Sequence, residues 1–161
     1  MRQSVYVDTT IPSYYVDKRP QLRLHIERTR QWWDEERGLY DVYTSEFVMA
    51  ELEEGNFPGK DSAIALLQQV PRLSPVAEIR EIVEVYVANR LIPVIDLRDG
   101  FHLAFACFYK MDYLLTWNCA HLANIHKQEH IRIINMRLAL HTPAIITPLE
   151  LLPEEQENEI L

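Results

Sequence analysis

VYVDTTIPSYY, residues 5–15, decides the reading of this chain. Val5, Tyr6 and Val7 form a short β-branched and aromatic run, which predicts a buried strand over residues 4–7. Asp8 ends the run, and Pro12 with Ser13 suits the start of a helix. A buried strand that stops at a carboxylate and passes into a helix reads as one βα unit. In open parallel sheets, ligands bind beyond the carboxyl ends of the strands. That placement makes Asp8 a candidate ligand more than a surface acid.

The same alternation continues outward. Residues 22–37 predict a charged amphipathic helix with Leu22, Ile26 and Trp33 on one face. Residues 41–44 predict the second strand, and Ser45 can cap a helix that carries Glu51 and ends near Glu54. Residues 55–59, with Pro58, read as a turn. Two more helices are predicted over residues 61–70 and 76–89, separated by Pro71 and Pro75. Residues 92–95, 113–116 and 131–134 read as strands, and residues 144–146 as a further extended segment. Residues 97–100, including Asp99, read as the turn into a helix that runs to about Lys110. No repeat or long linker interrupts the pattern. The expectation is α/β: a three-layer α/β/α domain on a mostly parallel sheet. That domain should span residues 1–152. Residues 153–161, with Glu154, Glu155, Glu157 and Glu159, should form a solvated acidic tail.

Composition narrows the function classes. A chain of 161 residues, 48% hydrophobic and 25% charged, can bury its own core and reads as soluble and globular. The apolar runs are too short to span a bilayer, and the N-terminus lacks a signal-peptide core. A cytoplasmic protein without membrane association is the expectation. Cys107 and Cys119 match neither a zinc motif nor a disulfide framework and should be reduced thiols. Four glycines supply no phosphate-cradling loop, which weakens any nucleotide-cofactor reading. The net charge of -8 argues against charge-driven binding to a nucleic-acid backbone. It does not argue against a metal site, because a bound cation reverses the local field.

The acids supply the positive signal. Asp8, Asp99 and Asn118 each follow a predicted strand, and Glu51 lies two turns into the helix after another. Four separate segments thus direct oxygen-bearing side chains to one edge of the sheet. Mg²⁺ and Mn²⁺ prefer such ligands. Clustered carboxylates repel one another, and a cation relieves that repulsion. Such a site can activate a water for attack on a phosphate. An acid cluster without a Cys or His ligand set points to phosphodiester hydrolysis.

Several residues carry plainer readings. Glu46 suits a dipole-favouring acid in the first turn of its helix. His102 and His121 read as packed or hydrogen-bonded histidines ahead of catalytic bases. Thr10 can bond a metal ligand or shape its turn. Trp32, Trp33, Tyr14 and Tyr15 could stack bases, but core or dimer packing is the better reading for most. Asp112 precedes its strand and belongs at the opposite end of the sheet. A receiver-like regulatory domain also places acids at strand ends, but Lys110 and Lys127 do not sit where that fold needs a lysine.

Four stretches carry a family resemblance: VYVDTTIPSYY at 5–15, TSEFVMAELEEG at 44–55, LRDGFHLAFACFYKMDYLLTWNCAHLAN at 97–124 and IITPLELL at 145–152. In this order they resemble the PIN-domain family, and within it the VapC-like toxins of toxin–antitoxin pairs. Asp8 resembles the first family acid. Glu51 resembles the second, in a pattern opening at Ser45, and Asp99 the third, in a pattern continuing through His102, Leu103, Ala104 and Ala106. Asn118 stands where many members carry a fourth acid. An amide oxygen there can still meet a hard cation, without charge. The resemblance implies metal-dependent cleavage of RNA with Mg²⁺ or Mn²⁺, a small antitoxin partner and a homodimer. Asp8, Glu51, Asp99 and Asn118 are the implied metal and catalytic residues. A PIN fold kept as a binding module, without cleavage, is the competing expectation.

Overall fold

A computed structural model of the chain describes residues 1–118, 122 and 124–154. Cys119, His121, Glu155, Glu157 and Glu159 lie outside these residues. The elements alternate as the sequence predicts. They run β1 (Ser4–Val7), α1 (Thr10–Val16), α2 (Arg23–Gln31), β2 (Asp41–Ser45), α3 (Glu46–Glu54), α4 (Lys60–Leu66) and β3 (Arg72–Leu73). Then follow α5 (Ala77–Ala88), α6 (Leu97–Phe108), β4 (Tyr113–Leu115), α7 (Ile125–Arg137) and β5 (Ala144–Ile146).

The five strands form one parallel sheet in the order β3-β2-β1-β4-β5, flanked by helices. β1 is central, with Tyr6 registered between Tyr43 of β2 and Leu114 of β4. Val5, Tyr6 and Val7 are fully buried, which explains why β1 reads as a continuous apolar run instead of an alternating one. The chain winds from β1 towards β3, then crosses back to place β4 on the other side of β1. The β1/β4 boundary is therefore the point where strand order reverses, and Asp8 and Asn118 follow those two strands.

Four expectations need correction. Residues 92–95 form turns, not a strand: Leu91 and Ile92 N–H bond to the Tyr86 carbonyl, and Ile95 N–H bonds to that of Leu91. Leu91 and Ile95 are buried, so their apolarity reports the core and not a sheet position. The strand not predicted is β3, in the stretch between Pro71 and Pro75 that separates two helices. As an edge strand it tolerates Pro71, whose carbonyl accepts from Thr44 N–H. Residues 131–134 lie in α7, where Ile131 and Ile134 are buried three residues apart with Arg132 and Ile133 exposed between them. The helix expected over residues 22–37 breaks. α2 ends at Gln31, and a π-turn over Trp32–Glu36 lets two successive tryptophans, Trp32 and Trp33, both face the core. Leu22 sits outside α2, in a 3₁₀ turn.

Other details agree. Ser45 Oγ accepts from Val48 N–H and caps α3. Asp112 lies at the start of β4, where Oδ2 accepts from Ser4 N–H, at the end of the sheet opposite Asp8. Cys107 is free and buried, and burial pushes its thiol up to about 12. None of the described helices is long and apolar enough to cross a membrane.

The helical layer around α5, α6 and α7 is tied by one buried polar knot. The Tyr86 hydroxyl donates to Asn135 Oδ1 at 2.7 Å, and Asn135 Nδ2 donates to Thr142 Oγ1 at 3.1 Å. Tyr86→Phe leaves the buried Asn135 oxygen without that donor. A loss of about 1–3 kcal/mol in urea-unfolding stability is expected.

Candidate active site

The local folding of the N-terminal βα unit sets the first acid. Asp8 continues β1 by donating its N–H to the Leu115 carbonyl. Its Oδ1 then accepts from Thr10 N–H at 2.9 Å and from the Thr10 hydroxyl at 2.5 Å. The Thr10 hydroxyl oxygen also accepts from Trp117 N–H at 2.9 Å. One threonine thus clips the exit of β4 to the carboxylate at the exit of β1. Asn118 N–H donates to Thr116 Oγ1 at 2.9 Å, which turns the Asn118 side chain back towards the sheet edge.

Asp99 arrives from another direction. Asp96 caps α6, its side chain accepting from Arg98 N–H, and Asp99 lies in the first turn of the helix. The strand expected to deliver Asp99 does not exist; a capped helix N-terminus delivers it instead. Gly100 lets this turn approach the preceding loop, since a Cβ there would stand 2.7 Å from Ile92 Cδ1. Asn118 Nδ2 donates to Asp99 Oδ2 at 2.6 Å.

Asp8, Glu51, Asp99 and Asn118 line one cleft of about 220 Å³, together with Thr9, Thr10, Asp96, Arg98 and His102. A larger groove of about 900 Å³ lies elsewhere and shares none of these residues. It is Glu46 that faces that groove, in keeping with its plain reading as a first-turn acid. Trp32 and Trp33 are core residues.

Glu51 is already engaged. Its Oε1 accepts from the Thr9 hydroxyl at 2.8 Å and lies 2.5 Å from His102 Nε2. Its Oε2 lies 3.8 Å from the guanidinium of Arg98, whose side chain is largely exposed. Among the described residues, no group of three or more His, Cys, Asp or Glu side chains is placed to hold a metal ion as it stands. Sequence reasoning passed over Tyr6, Thr9, Asp96 and Arg98. Asp96 had a legible signal, as a capping residue just before the first turn of a helix. Tyr6 and Thr9 had none, because their roles arise from partners far along the chain.

The electrostatics separate the acids. Burial raises the Asp8 carboxyl above its ordinary value, and the His102 ring and the Thr10 and Thr116 hydrogen bonds oppose this only in part. Burial and the neighbouring Asp8 push Asp99 up to about 6. Burial also acts to raise Glu51, but His102, Thr9 and Arg98 outweigh it and hold that carboxyl low. Of the three candidate acids, Asp8 and Asp99 therefore resist ionisation and Glu51 is stabilised as an anion.

No family model and no curated protein matches the chain. In fold it is similar to a chain in the crystal structure of VapBC2 from Rickettsia felis bound to a DNA fragment from their promoter. The TM-score is 0.55 and the identity 16%, over 90% of this chain and 98% of that one. At that identity the likeness is one of fold.

A pH dependence follows. Asp99 titrates at about 6 in the fold and 3.8 ordinarily, so it costs no stability below about pH 4. Between those values the unfolded chain ionises first, and stability falls as pH rises. Asp8 adds to this with the same sign. Glu51 acts oppositely, its contribution being lost as the solution is acidified. Metal-free Asp99→Asn should exceed the parent in stability by about 1–3 kcal/mol above pH 6, with the difference gone below about pH 4. Urea unfolding across this range checks it.

Proposed function

We propose that this chain is a divalent-metal-dependent endoribonuclease of the PIN type, hydrolysing RNA phosphodiester bonds. The observation that carries this reading is the meeting of Asp8, Glu51, Asp99 and Asn118 in one cleft at the β1/β4 switch point. On this reading it is the toxin of a type II toxin–antitoxin pair, with a small antitoxin as partner and a homodimer as the working form. The VapC-like motifs and the fold likeness to a chain of VapBC2 support that assignment.

The donor set fits a hard cation. Asp8, Asp99 and Asn118 offer oxygen, and the elevation of the two aspartates, by burial and for Asp99 also by Asp8, is what a bound divalent charge would relieve. Magnesium is usually held by one or two carboxylates, with waters and substrate phosphate completing its shell. A ready-made cage of three charged ligands is therefore unnecessary. Bound Mg²⁺ or Mn²⁺ supplies a water of lowered pKa and stabilises charge developing on the phosphate. Asp8 is fixed for this by both bonds from Thr10, and Asp99 by the Asn118 amide. Glu51, held low by His102, Thr9 and Arg98, remains an anion that can accept hydrogen bonds at the cleft wall. Arg98, its side chain largely exposed beside Glu51, offers a guanidinium to an incoming phosphate.

A binding module without cleavage is the second reading. It is favoured by Asn118 at the place of a fourth acid and by the internal hydrogen bonds that already satisfy Glu51 and Asp99.

Purified protein should cleave structured RNAs with Mg²⁺ or Mn²⁺, and EDTA should abolish cleavage. Asp8→Asn and Asp99→Asn should each reduce cleavage to background while remaining folded. Cleavage that persists equally with chelator and in both variants would sink the metal mechanism. Calorimetry separates the two readings: saturable Mn²⁺ binding lost in Asp99→Asn supports the nuclease, and no binding in the parent supports the module.

A further inference from the structure

The cleft is backed by a buried polar chain that the four-residue site does not account for. Ser45 Oγ lies 2.8 Å from the Tyr6 hydroxyl, and that hydroxyl lies 2.8 Å from His102 Nδ1. His102 Nε2 then lies 2.5 Å from Glu51 Oε1. Ser45 and Tyr6 are fully buried and His102 is 2% exposed, so each polar atom depends on these partners. The Phe47 ring stands edge-on to the imidazole with centroids 5.2 Å apart, and Tyr6 flanks it at 5.8 Å. The imidazole is boxed as well as bonded.

The hydrogens can be assigned by elimination. Ser45 Oγ already accepts from Val48 N–H, and its own proton needs an acceptor. Tyr6 Oη is the acceptor within reach. With a neutral ring, the Tyr6 proton then goes to His102 Nδ1, and the ring carries its own proton on Nε2, facing the Glu51 carboxylate. Reversing the chain would leave the Ser45 proton without an acceptor among the described residues.

We propose that His102 is a positioning residue: the directed chain Ser45–Tyr6–His102 fixes the tautomer of its ring and aims Glu51 into the cleft. It rests on the ribonuclease reading for its effect on catalysis. The function of the chain is to hold Oε1 through His102 and Thr9, leaving Oε2 beside Arg98 as the oxygen that works on substrate. A carboxylate ligand oriented by an outer histidine follows the usual logic of such supporting hydrogen bonds.

Two readouts test this on the full chain. Nitrogen-15 NMR of the His102 ring in the wild-type protein near neutral pH should show a protonated Nε2 and an unprotonated Nδ1. Tyr6→Phe should shift the Nδ1 resonance. In RNA cleavage, His102→Ala should lower kcat roughly 10- to 100-fold with KM little changed. His102→Gln, whose amide can still donate to Glu51, should recover part of the loss. A protonated Nδ1 in the wild-type protein overturns the proposal. So does wild-type cleavage by His102→Ala when Asp99→Asn is inactive. If the wild-type protein cleaves nothing, the ribonuclease reading fails, and the NMR arm still decides the hydrogen-bond chain by itself.

Discussion

Burying Asp8 against Asp99 is the costly contact around which the rest of the edge is organised. Each carboxylate lies at the surface of the core with under a tenth of its area exposed; burial raises both, and Asp8 adds to the cost of ionising Asp99. Two neighbours at this edge answer that cost. Thr10 places two donors on Asp8, and Asn118 places one on Asp99. Such a constellation is maintained only where surrounding structure over-determines it. Here two strand exits, one capped helix start and one helix face converge, and none could move alone without breaking a hydrogen bond to another.

The sheet order explains why convergence falls at this place. β1 and β4 diverge in the connections that leave them, so their carboxyl ends open onto a crevice with no crossover above it. Asp8 and Asn118 stand on the two lips. The helices supply the other members from the side, Asp99 from the first turn of α6 and Glu51 from the body of α3. A helix N-terminus carries partial positive charge, which partly offsets the ionised form of Asp99. That offset does not remove the elevation caused by burial and Asp8.

What the sequence made legible was local. β1, β2 and β4 could be read from β-branched and aromatic runs, and the Ser45 cap from its residue type and place. Residues 92–95 and 131–134 misled because short stretches rich in β-branched residues also occur in turns and helices; here only Ile95, Ile131 and Ile134 are buried. β3 was hidden because two residues between prolines carry no period at all. Asp99 was expected beyond a strand: the helix it begins is present, and the strand behind it is not. The roles of Tyr6 and Thr9 depend on partners 96 and 42 positions away, and single-sequence periodicity contains no such information.

Asn118 gains a physical meaning from this arrangement. A carboxylate at that position would put a third anion against Asp8 and Asp99 and would have no proton to give Asp99. The amide gives a hydrogen bond to Asp99 in the absence of a cation and carries an oxygen on the same group. The charge missing from Asn118 is balanced on the opposite wall, where His102 and Arg98 keep Glu51 ionised. With an amide in place of an acid at position 118, the cleft carries one charge fewer and gains a hydrogen bond to Asp99.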